Sequence, residues 1–206
     1  MYFYFVRHGT TINNQNHTFN GGGVDPVLTG FGQAETQKLG HYLQEVHFDA
    51  CFSSPLKRAY ETAQLVLKEN KQARPAIKIL PALTEMDLGD WDGVSITQLN
   101  GAPQIENYFH KPDLFDGHSL HAESYHDLQR RGYQALEQII KSASGKKNVL
   151  IASHGLLLTT LLKSLNGTDL RDIRKDCLVA TSSVTIFKSK DGTEFKLKDW
   201  ALKPAE

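Results

Sequence analysis

Tyr2-Phe3-Tyr4-Phe5-Val6 runs straight into Arg7-His8-Gly9-Thr10-Thr11. The aromatic and β-branched run predicts a strand, and its being apolar on both faces predicts a strand covered on both sides. A buried strand that ends in a guanidinium, an imidazole and a glycine delivers chemistry to the carboxyl edge of a sheet. In open α/β folds that edge is where ligands bind. Neutral imidazole is a good nucleophile, and Arg7 beside His8 disfavours the protonated ring. Arg7 also offers a planar fork of donors suited to phosphate oxygens. Gly9, without a Cβ, lets its backbone approach a ligand closely.

Outward from this edge the chain alternates strands and helices. A polar loop, Asn13 to Asp25, carries Asn14, Asn20 and Gly21-Gly22-Gly23 and can aim N–H groups at an anion. Thr29 is placed to cap a helix whose apolar positions are Leu39, Tyr42, Leu43 and Val46. Phe48 to Phe52 reads as a second strand, ending at Ser53-Ser54-Pro55, with Pro55 suited to the first turn of the next helix. Ile77 to Leu80 is a third strand. This order predicts an α/β fold: a three-layer sandwich, its mostly parallel sheet covered by helices on both faces.

From Trp91 to about Asp127 the periodicity fails, and the stretch reads as a small lid insert within a single domain spanning 1–206. Regularity returns with a helix through Leu128, Leu136 and Ile140, then the apolar strand Val149 to Ala152, ending at Ser153-His154-Gly155. The helix from Leu156 to Leu165 is apolar nearly all round and is expected to be buried. Two alternating strands near the C-terminus, joined around Asp191-Gly192, form a hairpin, so one strand there runs antiparallel.

Lys+Arg and Asp+Glu balance at 23 each over 206 residues, which gives no overall field for nucleic acid or an anionic membrane. Cys51 and Cys177 fit no metal spacing and read as two buried, reduced thiols of a cytoplasmic protein. No stretch has the length of a transmembrane helix.

Polar clusters therefore follow several strands: Arg7-His8, then Ser54 with Arg58, then Glu85, then His154. In a parallel sheet these ends share one edge. Two arginines, two histidines and a carboxyl group converging there suit a phosphomonoester. Arg7 and Arg58 clamp the phosphoryl oxygens, and His154, if protonated, adds a third positive donor. His8 attacks phosphorus, and Glu85 exchanges a proton with the leaving group and then with water. The scheme requires neither metal nor cofactor.

Arg7-His8-Gly9-Thr10-Thr11-x-x-Asn14, Ser53-Ser54-Pro55-Leu56-x-Arg58-Ala59, Leu83-x-Glu85 and Ser153-His154-Gly155 together resemble the histidine phosphatase superfamily. The phosphoglycerate-mutase-like branch fits better, because the acid-phosphatase branch has His-Asp where this chain has His154-Gly155. The resemblance implies His8 as the phosphorylated nucleophile, Arg7, Arg58 and His154 as the phosphate pocket, and Glu85 as proton donor. Asn14, with Asn20 and Gly21 of the loop, is implied as a further contact to phosphate or substrate. Glu123-Ser124 with Arg131 resembles the family's Gly-Glu-Ser…Arg segment. Thr10 departs from it, standing where many members have Glu.

The expected activity is hydrolysis of a small phosphorylated metabolite. The alternative is a bisphosphoglycerate-dependent phosphoglycerate mutase, which needs cations in the insert for a carboxylate; here only Lys111 supplies one. A second alternative is a non-catalytic phospho-ligand binding module, which would not need both His8 and Glu85. The insert also carries Tyr108, Phe109, Phe115 and Tyr125 as substrate-facing aromatics, and His110, His118, His121 and His126 as solvated residues rather than metal ligands.

Overall fold

The protein, a computed structural model describing residues 1–190 and 192–204, is built on one six-stranded sheet. Its strands are β1 (Tyr2–Arg7), β2 (Ala50–Ser53), β3 (Ile77–Ile79), β4 (Asn148–Ser153), β5 (Val184–Ser189) and β6 (Phe195–Leu202), in the order β3-β2-β4-β1-β5-β6. β1, β2, β3 and β4 pair in parallel, whereas β5 runs antiparallel to both β1 and β6. The helices are α1 (Ile12–Gln15), α2 (Gly30–Tyr42), α3 (Lys57–Lys68), α4 (Ile105–His110), α5 (Tyr125–Ser142) and α6 (Gly155–Leu165).

Strand alternation builds the three layers. Phe3, Phe5, Val149 and Ile151 face one way and pack with Leu128 of α5 and Leu157 of α6. Val6, Leu150 and Ala152 face the other way and pack with Leu39 of α2 and Val66 of α3. Helices thus cover both faces, and α6 is buried along most of its length, as its composition predicts.

β4 inserts between β1 and β2 in register Arg7↔Ser153, so His8 and His154 leave neighbouring strand ends. The His8 N–H donates to the Ser153 carbonyl at 3.0 Å, carrying the ladder one residue beyond the strand.

Four local expectations need correction. α2 is capped by Thr29, but it ends at Tyr42, short of Val46, and Tyr42 is exposed. Pro55 precedes α3 rather than opening it: the helix starts at Lys57, whose N–H donates to Asp25 Oδ2 at 2.6 Å, a cap supplied from the distant loop. Cys51 is buried, and burial pushes its thiol up to about 12, but Cys177 is exposed. Phe115 and Tyr125 are not a free aromatic surface, whereas Tyr108 and Phe109 border a central cavity. Tyr108, Phe115 and Tyr125 are buried with Phe19 and Trp91, and anchor the insert to the core on the α5–α6 face.

The insert holds short 3₁₀ turns and α4. Of the expected hairpin turn, Asp191 lies outside the described residues, and Gly192 has φ +88°. Among the described residues no helix is long and apolar enough to cross a membrane, and no group of three His, Cys, Asp or Glu is arranged to hold a metal ion.

Candidate active site

Beyond β1, His8 is 1 % exposed, and its Nδ1 lies 2.8 Å from the Gly9 carbonyl. A carbonyl only accepts, so Nδ1 carries the proton and Nε2 keeps its lone pair. Burial, then the charges of Arg58 and Arg7, hold the ring well below the ordinary histidine pKa. The free protein therefore presents a neutral imidazole with Nε2 unprotonated.

His154 is fully buried beside it, the two ring centroids 5.2 Å apart. Its Nε2 lies 2.7 Å from Ser54 Oγ, and Ser54 Oγ accepts the Leu56 N–H at 3.2 Å. Either atom of that pair can be the donor, and the ring's Nδ1 is a buried atom with no partner. Burial, Arg58 and His8 keep this ring well below the ordinary value too. The condition under which His154 adds a third positive donor is therefore not met in the ligand-free protein: two adjacent buried imidazoles between guanidiniums stay neutral.

Arg7 Nη1 donates to the Val179 carbonyl at 2.6 Å, and its Nε is buried without a partner. Gly155 makes the space for it, since a Cβ there would lie 2.9 Å from Arg7 Cζ. This gives a steric reason for glycine after His154. Arg58, fully buried in the first turn of α3, donates to the carbonyls of Val24 and Gly21 and pairs with Asp25 at 3.4 Å. Its Nε also lacks a partner. Burial lowers the pKa of both guanidiniums, Glu85 opposes it, and both stay charged.

The glycine loop does aim N–H groups at an anion, but the anion is Asp92. Gly21 and Gly23 each donate to its carboxylate at 2.7 Å. With its N–H committed to Asp92 and its carbonyl to Arg58, Gly21 positions Arg58 rather than meeting a ligand. Asn20 donates to Thr11 Oγ1 at 3.0 Å, and its Oδ1 is buried and unpartnered. The end it offers to a ligand is thus an acceptor, suited to a substrate hydroxyl rather than to phosphate. Asn14 Oδ1 accepts from the Thr11 N–H and hydroxyl in a capping box at the start of α1, and Asn14 lines the central cavity. Gly9 is needed by α2 more than by a ligand: a Cβ would lie 2.7 Å from the Gly32 carbonyl oxygen. The Thr10 hydroxyl is 2.9 Å from that of Thr181, an intramolecular partner for the departing residue.

Glu85, 5 % exposed, accepts the N–H groups of Met86, Leu156 and Leu157, each at 2.9 Å. Two of these belong to the N-terminus of α6. Arg131 fixes the approach to Glu85, donating to the carbonyls of Ala82, Thr84 and Glu85 while it pairs with Glu123.

A cavity of about 150 Å³ opens over Arg7, Asn14, Asn20, Glu85 and Arg174. His8, Arg58 and His154 lie deeper, shielded from solvent. Arg174 is the residue that the sequence reading missed. It follows α6 in a run of mixed charge with no spacing that singles it out, and only the fold brings it here. His118 and His121 are exposed and face Asp127 and Asp90, away from this cavity.

Among the described residues, six buried side-chain polar atoms lack a partner, and five of them belong to Arg7, Asn20, Arg58, His154 and Arg174. Buried polar groups are normally satisfied, so this concentration marks a site prepared for a polar ligand. Three of the five are guanidinium N–H donors, which suits an anion.

The histidine phosphatase superfamily, branch 1, is matched over residues 3–203, and the chain belongs to that superfamily. A broad-specificity phosphatase of Saccharomyces cerevisiae is 29 % identical over 202 residues, covering 93 % of this chain and 81 % of its own. A 2,3-bisphosphoglycerate-dependent phosphoglycerate mutase of Cytophaga hutchinsonii is 32 % identical, covering 82 % of this chain and 78 % of its own. The solved structure of Bacillus stearothermophilus YhfR superposes with a TM-score of 0.86 at 30 % identity, covering 95 % of this chain and 94 % of its own. The superfamily relatives thus include both phosphatases and phosphoglycerate mutases.

Proposed function

We propose that this protein is a phosphomonoester hydrolase working through a phosphohistidine on His8, with a small phosphorylated metabolite as substrate and no metal in the reaction. The observation that carries this is the bare Nε2 of His8 beside partnerless donors on Arg7 and Arg58 and the partnerless Nδ1 of His154.

Nε2 attacks phosphorus in line with the ester oxygen. The P–N bond forms as the P–O bond breaks, and the leaving alkoxide takes a proton from Glu85. Three of the four lone-pair sites of the Glu85 carboxylate are filled by N–H groups; the fourth carries that proton. The Glu85 carboxylate then removes a proton from water. The water oxygen attacks phosphorus, the P–N bond breaks, and inorganic phosphate leaves with His8 restored. A bound phosphate dianion raises the pKa of His154, so the third cationic donor arises with the ligand rather than before it. Asn14 contributes to the phosphate pocket, and Asn20 meets a substrate hydroxyl.

The insert supports hydrolysis over mutase chemistry, because its cation, Lys111, is exposed and faces Glu106 at 4.0 Å. The mutase reading keeps one support: Arg174 supplies the cavity with a cation from outside the insert. Phosphate release from a panel of phosphometabolites, with chelator present, separates the readings. Hydrolysis that is lost by at least about 10³-fold in His8→Ala is expected. Bisphosphoglycerate-dependent interconversion of phosphoglycerates without net phosphate release would overturn it in favour of a mutase. Tight phospho-ligand binding with no turnover would favour the binding module.

A further inference from the structure

Arg174 is buried in part, and its Nη1 is shielded from solvent with no partner. Its neighbours in sequence are spoken for: Arg171 pairs with Asp169, Lys175 with Asp172, and Lys163 reaches Asp176. Among the described residues Arg174 itself makes neither ion pair nor hydrogen bond, although every acid of the segment already holds a cation. A guanidinium left without an anion in a segment otherwise paired is waiting for one.

Its geometry is fixed in advance. The Arg174 Cζ lies 5.0 Å from the ring centre of Tyr108 and 5.2 Å from that of Phe109, and these two rings meet edge-on at 4.8 Å. Tyr108 is itself held in the buried aromatic core. Cation–π contact with two rings holds the guanidinium in place without using any of its N–H donors.

Arg174 shares the central cavity with Arg7, whose pKa its charge helps to lower, but it is not among the cations that bear on His8. Arg174 and Phe109 line the central cavity and also an outer one of about 450 Å³, so they form a shared wall. The cations that bear on the His8 imidazole are Arg58 and Arg7. Arg174 thus stands on the wall shared with the outer cavity, where a ligand held by its phosphoryl group at His8 would place its remaining atoms.

We infer that Arg174, held against Tyr108 and Phe109, is a specificity residue that receives a second anionic group on the substrate. The preferred substrates are small phosphomonoesters that also carry a carboxylate or a second phosphate. This rests on the phosphomonoester reading above, and the test separates the two.

The test compares kcat/KM for two matched pairs, 3-phosphoglycerate against glycerol 3-phosphate and fructose 1,6-bisphosphate against fructose 6-phosphate. The first pair reports a carboxylate, the second a phosphate. One desolvated charge-assisted contact corresponds to roughly tenfold to hundredfold in affinity. The wild-type protein is expected to favour the doubly anionic member of at least one pair by about tenfold or more. In Arg174→Met that ratio falls to near unity, chiefly through KM, and Arg174→Lys retains part of it. A wild-type ratio near unity in both pairs overturns the inference. So does a ratio that survives in Arg174→Met, or an equal KM rise for both members of a pair, which would put Arg174 on the shared phosphoryl group. If no ester turns over, the hydrolase reading fails on its own. Calorimetric binding of the same four compounds to wild-type and Arg174→Met protein then decides the subsite by the same ratios.

Discussion

At the scale of single residues, the site is shaped by what its neighbours leave out. Gly155 has no side chain because Arg7 occupies that space, and Arg7 is anchored to Val179 at its far end. Gly155→Ala is therefore expected to displace Arg7 while the fold survives. Its kcat/KM on an aryl phosphate should fall at least about tenfold, and inhibition by inorganic phosphate should weaken in parallel. Unchanged phosphate inhibition would show that Arg7 is not held in place by this contact. Gly9 behaves differently, because the obstacle to its Cβ is the backbone of α2, which cannot swing aside. Gly9→Ala should cost about 1–3 kcal/mol of stability, measurable by urea unfolding. A loss of activity at unchanged stability would instead return Gly9 to the ligand-approach role that its place beside His8 suggests.

Between single side chains and whole elements, Arg131 of α5 ties the segment after β3 into place. It holds the carbonyls of Ala82, Thr84 and Glu85 and neutralises the mostly buried Glu123. Arg131→Gln should destabilise the protein by about 2–3 kcal/mol, since it leaves Glu123 without its partner. Its kcat should fall more than its KM changes, because Glu85 loses its placement rather than the phosphate its clamp; a pure KM effect would contradict this. How much of this was legible in the sequence follows from the same distinction. His8, Arg58, Glu85 and His154 could be read because each stands at a fixed short distance beyond a strand or at the start of a helix. Their types carry the chemistry, and their places follow from the strand pattern. Asp92, Val179 and Arg174 could not be read, since their roles depend on loops folding back across the chain. The place of Gly21 is hidden for a related reason. The composition of the loop suits an anion, yet nothing local says that the anion is the chain's own Asp92. The buried aromatics of the insert were opaque as well, because irregular segments give no period from which to tell an inward ring from an outward one.

Across the whole molecule, inserting β4 between β1 and β2 brings two histidines together in the interior, at sequence positions far apart. That arrangement has a consequence for stability. Both imidazoles are neutral in the native protein, held below the ordinary value first by burial and then by Arg58 and its neighbours. In the unfolded chain both recover a pKa of about 6.5. Below that pH the unfolded state binds protons that the native state refuses, so stability falls as pH falls, beginning near pH 6.5 and continuing toward the depressed native values. Each histidine contributes a slope of up to about 1.4 kcal/mol per pH unit. Carboxylates held low in the native state, such as Asp49 and Asp127, add a separate loss at more acid pH. Urea unfolding between about pH 5 and pH 8 should therefore be flat above neutrality and then lose stability with an uptake approaching two protons. His8→Gln and His154→Gln should each remove about one proton from that slope. A flat profile down to pH 5, or a slope that survives in both variants, would mean that the histidine pair is not kept neutral by the fold, and the nucleophile would have lost the condition that keeps its lone pair free.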